Sequence, residues 1–275
     1  MIATTNPAGL PLPCKVQVDK DLKQCFDDSY KMVTQKWDFI ILYVGREGAG
    51  KTTMALQNAL YIDPSFTLDR VVFNPQQFDE VVENAPPYSS IVWDEADDLS
   101  SSWASQMLIA IKRKFKRIRK KNLFIFLVTP TFHDMNKYFA IHRTLFLFHV
   151  HAECGKRGFW RMFDFKQKRL LYVYGKKEMN LEAAKYNIRG TFSNLPRDFP
   201  IAMDAYEDKK DEATSKVLGI VKTTQTVLAD YKRDCINRFF DLKNVSAHNL
   251  SNKQLAIAFD VSDTYISKVK GAVFK

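Results

Sequence analysis

The sequence predicts a three-layer α/β sandwich on a mainly parallel sheet, followed by a small all-α domain. Three observations carry this. Apolar runs alternate with amphipathic stretches from residue 38 to about 150, and strands alternating with helices favour a parallel sheet covered on both faces. The first run, "DFIILYV" (38–44), is continuously apolar, as a strand buried on both faces requires. The composition then shifts past Leu195, where an acidic stretch precedes a basic, helical C-terminus.

The elements follow in order. A Pro-rich lead-in precedes an amphipathic helix near Asp19 to Gln35. After the first strand, a helix is expected from Lys51 to about Tyr61. "RVVF" (70–73) is the second strand, and "PQQFDEVVENA" (75–85) a helix with proline in its first turn. "SSIVW" (89–93) is the third strand. A long helix follows over 102–121, with Trp103, Met107, Ile111, Phe115 and Ile118 on one face. "NLFIFLV" (122–128) and "RTLFLFHV" (143–150) are the fourth and fifth strands. "FWRMFDFKQKRLLYVYG" (159–175) reads as a hairpin turning near Lys166 to Lys168. The expected organisation is therefore an N-terminal extension (1–36), an α/β domain (37–195), an acidic linker (196–212) and a helical domain (213–275).

The totals narrow the function classes. The 275 residues carry 41 Lys and Arg against 31 Asp and Glu, a net charge of +10. Such an excess suggests a polyanionic partner, usually nucleic acid. Cys14, Cys25, Cys154 and Cys235 form no CxxC pair, which suits reduced thiols rather than a disulfide framework. The N-terminus has no signal-peptide pattern. No apolar run is long enough to span a bilayer, so a cytoplasmic protein is expected. His149, His151 and Cys154 share a strand and its end but lack an evident fourth ligand, and they are not read as a metal site.

The chemistry is carried by "VGREGAGKTT" (44–53). Gly45, Arg46, Glu47, Gly48, Ala49, Gly50, Lys51 and Thr52 match G-x-x-x-x-G-K-[ST] between a buried strand and a helix, with Thr53 beside them. The glycines let backbone N–H groups turn onto a phosphate, and the helix N-terminus adds partial positive charge. Lys51 would reach the β- and γ-phosphates of ATP, and Thr52 would ligate Mg²⁺. "SIVWDEAD" supplies the partner motif. Asp94 ends a strand and would hold Mg²⁺, while Glu95 would orient and deprotonate the attacking water.

One strand between the two motifs in sequence, with Glu after the strand Asp, resembles the additional-strand, catalytic-glutamate group of P-loop ATPases. In that group a polar residue on a strand between the motif strands senses the γ-phosphate. Thr129 is the position implied here, or it caps its strand end. "VWDEADDL", the basic helix and "NLFIFLVTPTFHDMNKYFAIHRTLFLF" together resemble the HerA/FtsK superfamily of DNA-pumping ATPases over about 38–150. Many relatives end the sensor strand in Thr-Gln, where this chain has Pro130. The resemblance implies a homo-oligomer, with a hexameric ring among its forms, acting on DNA, double-stranded before single-stranded. Arg143 would be an arginine finger toward a neighbour's nucleotide, or a surface arginine.

Two stretches would meet that DNA. "KRKFKRIRKK" (112–121) puts Lys112, Arg113, Lys114, Lys116, Arg117, Arg119, Lys120 and Lys121 around an apolar stripe. Such density suits phosphate contacts independent of sequence, or else a solvated basic face. "SNKQLAIAFDVSDTYISKVKGAV" (251–273) resembles a helix-turn-helix, with Ser262 as N-cap and Asp260 at the usual turn glycine. Ser262, Asp263, Thr264, Tyr265, Ser267 and Lys268 would then face a major groove; the alternative is a helical bundle that binds protein. The expected function is an ATP-hydrolysing DNA motor for translocation, packaging or transfer. Its rivals are an ATP-gated DNA-binding initiator or regulator, and a phage assembly ATPase resembling the zonula occludens toxin family.

Overall fold

The computed structural model describes residues 1–37, 39–99, 111, 113, 115, 118–215, 251–259, 261–262 and 264–267. The chain divides into two compact units, Met1–Lys210 and Asp211–Lys275. The first contains a two-stranded sheet and a seven-stranded one.

The N-terminal lead-in forms β1 (Ile2–Thr5) and β2 (Pro11–Gln17), an antiparallel pair. Alternation along β2 buries Cys14 and Val16 and exposes their neighbours, as a one-sided strand requires. Helix α1 (Lys20–Thr34) starts at Asp19, whose carboxylate accepts the Asp21 N–H, and it buries Leu22, Phe26, Ser29 and Val33.

β3 (Phe39–Val44) is buried at every position. It leads through the glycine loop into α2 (Lys51–Ile62), buried from Met54 to Ile62. β4 (Val71–Val72) and α3 (Pro75–Asn84) follow, the latter capped by Asn74 with Pro75 in its first turn. β5 (Ser90–Trp93), β6 (Phe124–Thr129), β7 (Phe146–Glu153), β8 (Lys156–Phe163) and β9 (Ile188–Thr191) complete the large sheet. Its order is β4-β5-β6-β3-β7-β8-β9. The pairs from β4 through β7 are parallel, and β8 and β9 are antiparallel additions. β6 thus lies between the strand that feeds the glycine loop and the strand that ends just before Asp94.

Each face of the sheet has its own core. Ile40, Leu42 and Val44 share one face with Ile91, Trp93, Ile125 and Leu127. That face is packed with Phe78 and Val82 of α3 and with Ile111, Phe115 and Ile118. Phe78 stacks on Trp93 at 4.6 Å and meets Phe115 at 5.3 Å. Such pairs contribute about 0.5–1.5 kcal/mol each beyond area burial, so Phe78 ties two covering segments to β5. The other face is aromatic. Tyr43 stacks on Phe148 at 5.3 Å, and Phe26 of α1 meets Phe39 at 6.1 Å. Asn58 of α2 donates to the Tyr43 hydroxyl at 2.8 Å.

Three expectations change. The hairpin lies earlier than expected: β7 and β8 pair antiparallel on either side of Cys154 and Gly155. Residues Phe165–Gly175 form a helix, α4, rather than a return strand. Asp164 caps it by accepting the Gln167 N–H at 2.8 Å, so Asp-x-x-Gln was the legible signal. A π-helical turn, Tyr138–Arg143, also precedes β7. The third change concerns the segment expected to be a linker. It is helical over 203–210 and packs into the first unit through Tyr206, which is buried.

In the second unit, α5 (Asn252–Phe259) and the helical residues 264–267 flank a turn. Ser262 caps the second segment by accepting the Tyr265 N–H at 3.2 Å. Asn252 donates to Ser267 at 2.9 Å, and Leu255, Ala256 and Ile266 are buried. Asp260, Asp263 and Lys268 lie outside the described residues.

Candidate functional site

The site forms at the carboxyl ends of β3, β5 and β6. Gly45 leaves β3 with φ +146, and a Cβ there would fall 2.0 Å from the Val150 carbonyl oxygen of β7. Only glycine lets the loop pass that strand so closely. Gly50 enters α2 in the left-handed conformation, φ +98, with the Phe192 ring against it. The Lys51 ammonium donates to the Gly45 and Arg46 carbonyls at 2.8 and 3.1 Å. Burial holds its pKa below the usual lysine value, opposed by the charges of Asp94, Glu47 and Asp97.

Thr52 and Asp94 meet directly. Thr52 Oγ1 donates to Asp94 Oδ2 at 3.0 Å. Asp94 is buried, and the Glu95 N–H donates to its Oδ1 at 3.0 Å. The Tyr206 hydroxyl donates to Oδ2 as well. Burial and then the Asp94 charge push the Tyr206 phenol up, so it remains a donor at ordinary pH.

Glu95 occupies a backbone state uncommon for a glutamate, φ +55. The Asp97 N–H braces it by donating to the Glu95 carbonyl at 2.7 Å. Its carboxylate accepts from Lys210 Nζ at 2.8 Å. Burial acts against the Lys210 ammonium, but the bond to Glu95 and the charges of Glu95, Asp94 and Glu207 outweigh it and raise its pKa. Thr129 ends β6 and donates to Asp97 Oδ1 at 2.7 Å.

These groups line one cleft of about 410 Å³, with Glu47, Gly48, Lys51 and Thr52 on one side and Asp94, Glu95, Asp97, Thr129, Pro130 and Lys210 around the rest. A second cleft of about 580 Å³ shares Glu47 and Gly48 and continues along Arg46, Ala49, His149, His151, Arg157 and Arg161. His149 and His151 stack there at 5.1 Å. Burial, then His151 and Arg161, lower the His149 pKa to about 4.

No protein-family model and no curated protein matches this sequence. Solved structures do resemble it distantly. One is the N-terminal domain of zonular occludens toxin from Neisseria meningitidis, at 15% identity and TM-score 0.37 over 59% of this chain and 97% of that one. Another is B204, the DNA-packaging ATPase of Sulfolobus Turreted Icosahedral Virus, at 12% and 0.38 over 58% and 100%. The genome packaging NTPase B204 of Sulfolobus turreted icosahedral virus 2, in complex with ATP-gammaS, is similar at 10% and 0.34 over 58% and 98%. Likeness at this level carries no functional statement, and the residues must supply it.

The structure brings together the residues from Glu47 to Thr52 with Asp94, Glu95 and Thr129. Thr53 is half-buried one position further along α2. Arg143 lies elsewhere. The Leu145 N–H, two residues on, bonds to the Ile40 carbonyl at 2.7 Å. Ile40 stands four residues before the end of β3, about 13 Å from the loop at strand rise. Arg143 there donates to the Phe115 carbonyl at 2.8 Å, and its guanidinium lies over the Phe115 ring. It therefore braces Phe115, at the end of the strands opposite its own chain's cleft.

The basic stretch is also divided in its duties. Lys121 donates to the Val82, Glu83 and Ala85 carbonyls at the end of α3, as a C-terminal cap. Arg119 donates to the Lys36 carbonyl at 2.6 Å. Arg113 and Lys120 are exposed, while Lys112, Lys114, Lys116 and Arg117 lie outside the described residues. Asp97, Tyr206 and Lys210 were missed as site residues. Asp97 was legible as part of "DEADD", two residues beyond Glu95.

Proposed function

We propose that this chain is a Mg²⁺-dependent ATPase whose turnover acts on DNA. One observation carries the reading: the 3.0 Å bond from Thr52 Oγ1 to Asp94 Oδ2, inside the cleft that also holds Lys51 and Glu95. A glycine loop alone holds a phosphate. A hydroxyl and a carboxylate converging at its mouth form the oxygen pair that a hard divalent cation takes. Thr52 and Asp94 therefore fit Mg²⁺ and would hold it there. When bound, Mg²⁺ supplies charge neutralisation to the β- and γ-phosphate oxygens.

The remaining roles follow from position. Backbone N–H groups of 45–50 and the Lys51 ammonium bind the phosphates. Glu95 orients the attacking water and takes its proton. Thr129, fixed by Asp97 on the strand between the two motifs, answers to the γ-phosphate. The nucleoside lies in the second cleft, because Glu47 and Gly48 line both and the triphosphate must run from one to the other.

DNA is the partner that the +10 net charge and the 112–121 run favour. The finer reading is a DNA motor, working as a homo-oligomer and recruited through a helix-turn-helix within 251–273. The deciding measurement is ATP turnover with and without double- and single-stranded DNA, on the wild type and Glu95→Gln. Glu95→Gln is expected to bind a fluorescent ATP analogue normally and to lose about 10²-fold or more in kcat. Lys51→Ala is expected to lose binding itself. Wild-type turnover in Glu95→Gln would remove Glu95 from the reaction.

A further inference from the structure

The helical segment 203–210 touches both carboxylates of the site. Tyr206 and Lys210 are four residues apart and so share one helix face. Tyr206 reaches Asp94 and Lys210 reaches Glu95, the next residue along. The segment is seated firmly at its middle and beside Lys210. The Tyr206 ring is buried beside Phe73, 5.5 Å away, and Lys209 donates to the Leu68 and Val71 carbonyls at 2.8 Å each.

The two contacts differ in kind. Tyr206 is 2% exposed, so it is a fixed anchor. The Lys210 and Glu95 side chains are 29% and 50% exposed. An ion pair so open to water is weak and breaks at little cost. Yet while it lasts, a Glu95 oxygen is committed to an ammonium rather than to a water molecule.

We propose that residues 203–210 form a clasp that restrains hydrolysis, with Lys210 holding Glu95 away from the attacking water and Tyr206 anchoring the clasp to Asp94. Lys210 is a positioning residue, acting through Glu95. The proposal rests on the ATPase reading above. In the restrained state nucleotide binds but the base is engaged. When Lys210 withdraws, the Glu95 carboxylate turns to water and accepts its proton. The chain continues directly from Lys210 into the second unit.

The test measures kcat and KM for ATP on full-length wild type, Lys210→Met, Lys210→Arg and Glu95→Gln. Amide hydrogen exchange over 203–210 is followed in the absence of nucleotide. Lys210→Met is expected to raise kcat about two- to fivefold, the range an exposed ion pair supports, with KM unchanged. Lys210→Arg is expected to restore the wild-type rate. Exchange over 203–210 should quicken in both Lys210→Met and Glu95→Gln, because either change removes the ion pair, and less in Glu95→Gln, whose amide oxygen can still accept from Lys210. Beside an active wild type, a Lys210→Met chain with wild-type or lower kcat, while Glu95→Gln is inactive, overturns the clasp and leaves the ATPase reading standing. Turnover that is unaffected in Glu95→Gln overturns the ATPase reading and the clasp with it. A silent wild type beside an active Lys210→Met chain supports both, and silence in both chains with and without double- and single-stranded DNA overturns both.

Discussion

Single residues decide whether the loop can exist. Gly45 combines a positive φ with a Cβ position 2.0 Å from the Val150 oxygen. Gly45→Ala must move either the loop or β7, at about 2 kcal/mol or more. Urea denaturation is expected to register that loss, and nucleotide affinity to fall with it. A variant of wild-type stability would mean the loop has slack that its contacts do not suggest. The motif itself was legible because its chemistry is local: eight consecutive residues between a strand and a helix. Tyr206 was not, because its partner Asp94 stands 112 residues earlier. Nothing in "DAYEDKKDE" distinguishes a buried phenol from a solvated one.

At the level of elements, strands buried on both faces were the easiest to read. β3, β5 and β6 are buried at every described position, and a continuous apolar run says as much in sequence. The segment after β8 was harder. "LLYVY" is rich in strand-forming residues, and only the cap Asp164 argues for a helix. Tertiary packing settles it, since Lys168, Leu171 and Tyr172 are buried together on α4. Asp164→Ala is expected to cost about 1 kcal/mol, read as a lowered urea midpoint. Asp164→Asn, which keeps an acceptor, should recover most of it. Equal losses in both variants would assign the effect to charge rather than capping. The basic run shows the opposite difficulty. Eight cations in ten residues look equivalent in sequence, yet Lys121 is consumed in closing α3.

For the whole molecule, one buried charge shapes the response to pH. Lys168 is fully buried and donates to Thr144 Oγ1 at 2.6 Å. Burial lowers its pKa from 10.5 to about 7. Between those values the unfolded chain holds a proton that the folded chain has released. Stability therefore rises with pH from about 7 to 10.5, and below 7 the full cost of the buried charge applies. Thermal melts across this window should show a shallower rise in Lys168→Met than in the wild type. Equal slopes would mean that Lys168 stays charged in the fold. The contact boundary between the two units falls at Lys210, within the acidic stretch.

Trp93 ends β5 one residue before Asp94, with its indole buried against Phe78. The core thus carries its own fluorophore within one peptide bond of the carboxylate that meets Thr52. Its emission is expected to follow the proposed nucleotide binding in unlabelled protein, and the same titration on Trp93→Phe separates its share from the other tryptophans. Events at the cleft become readable as light from beneath it.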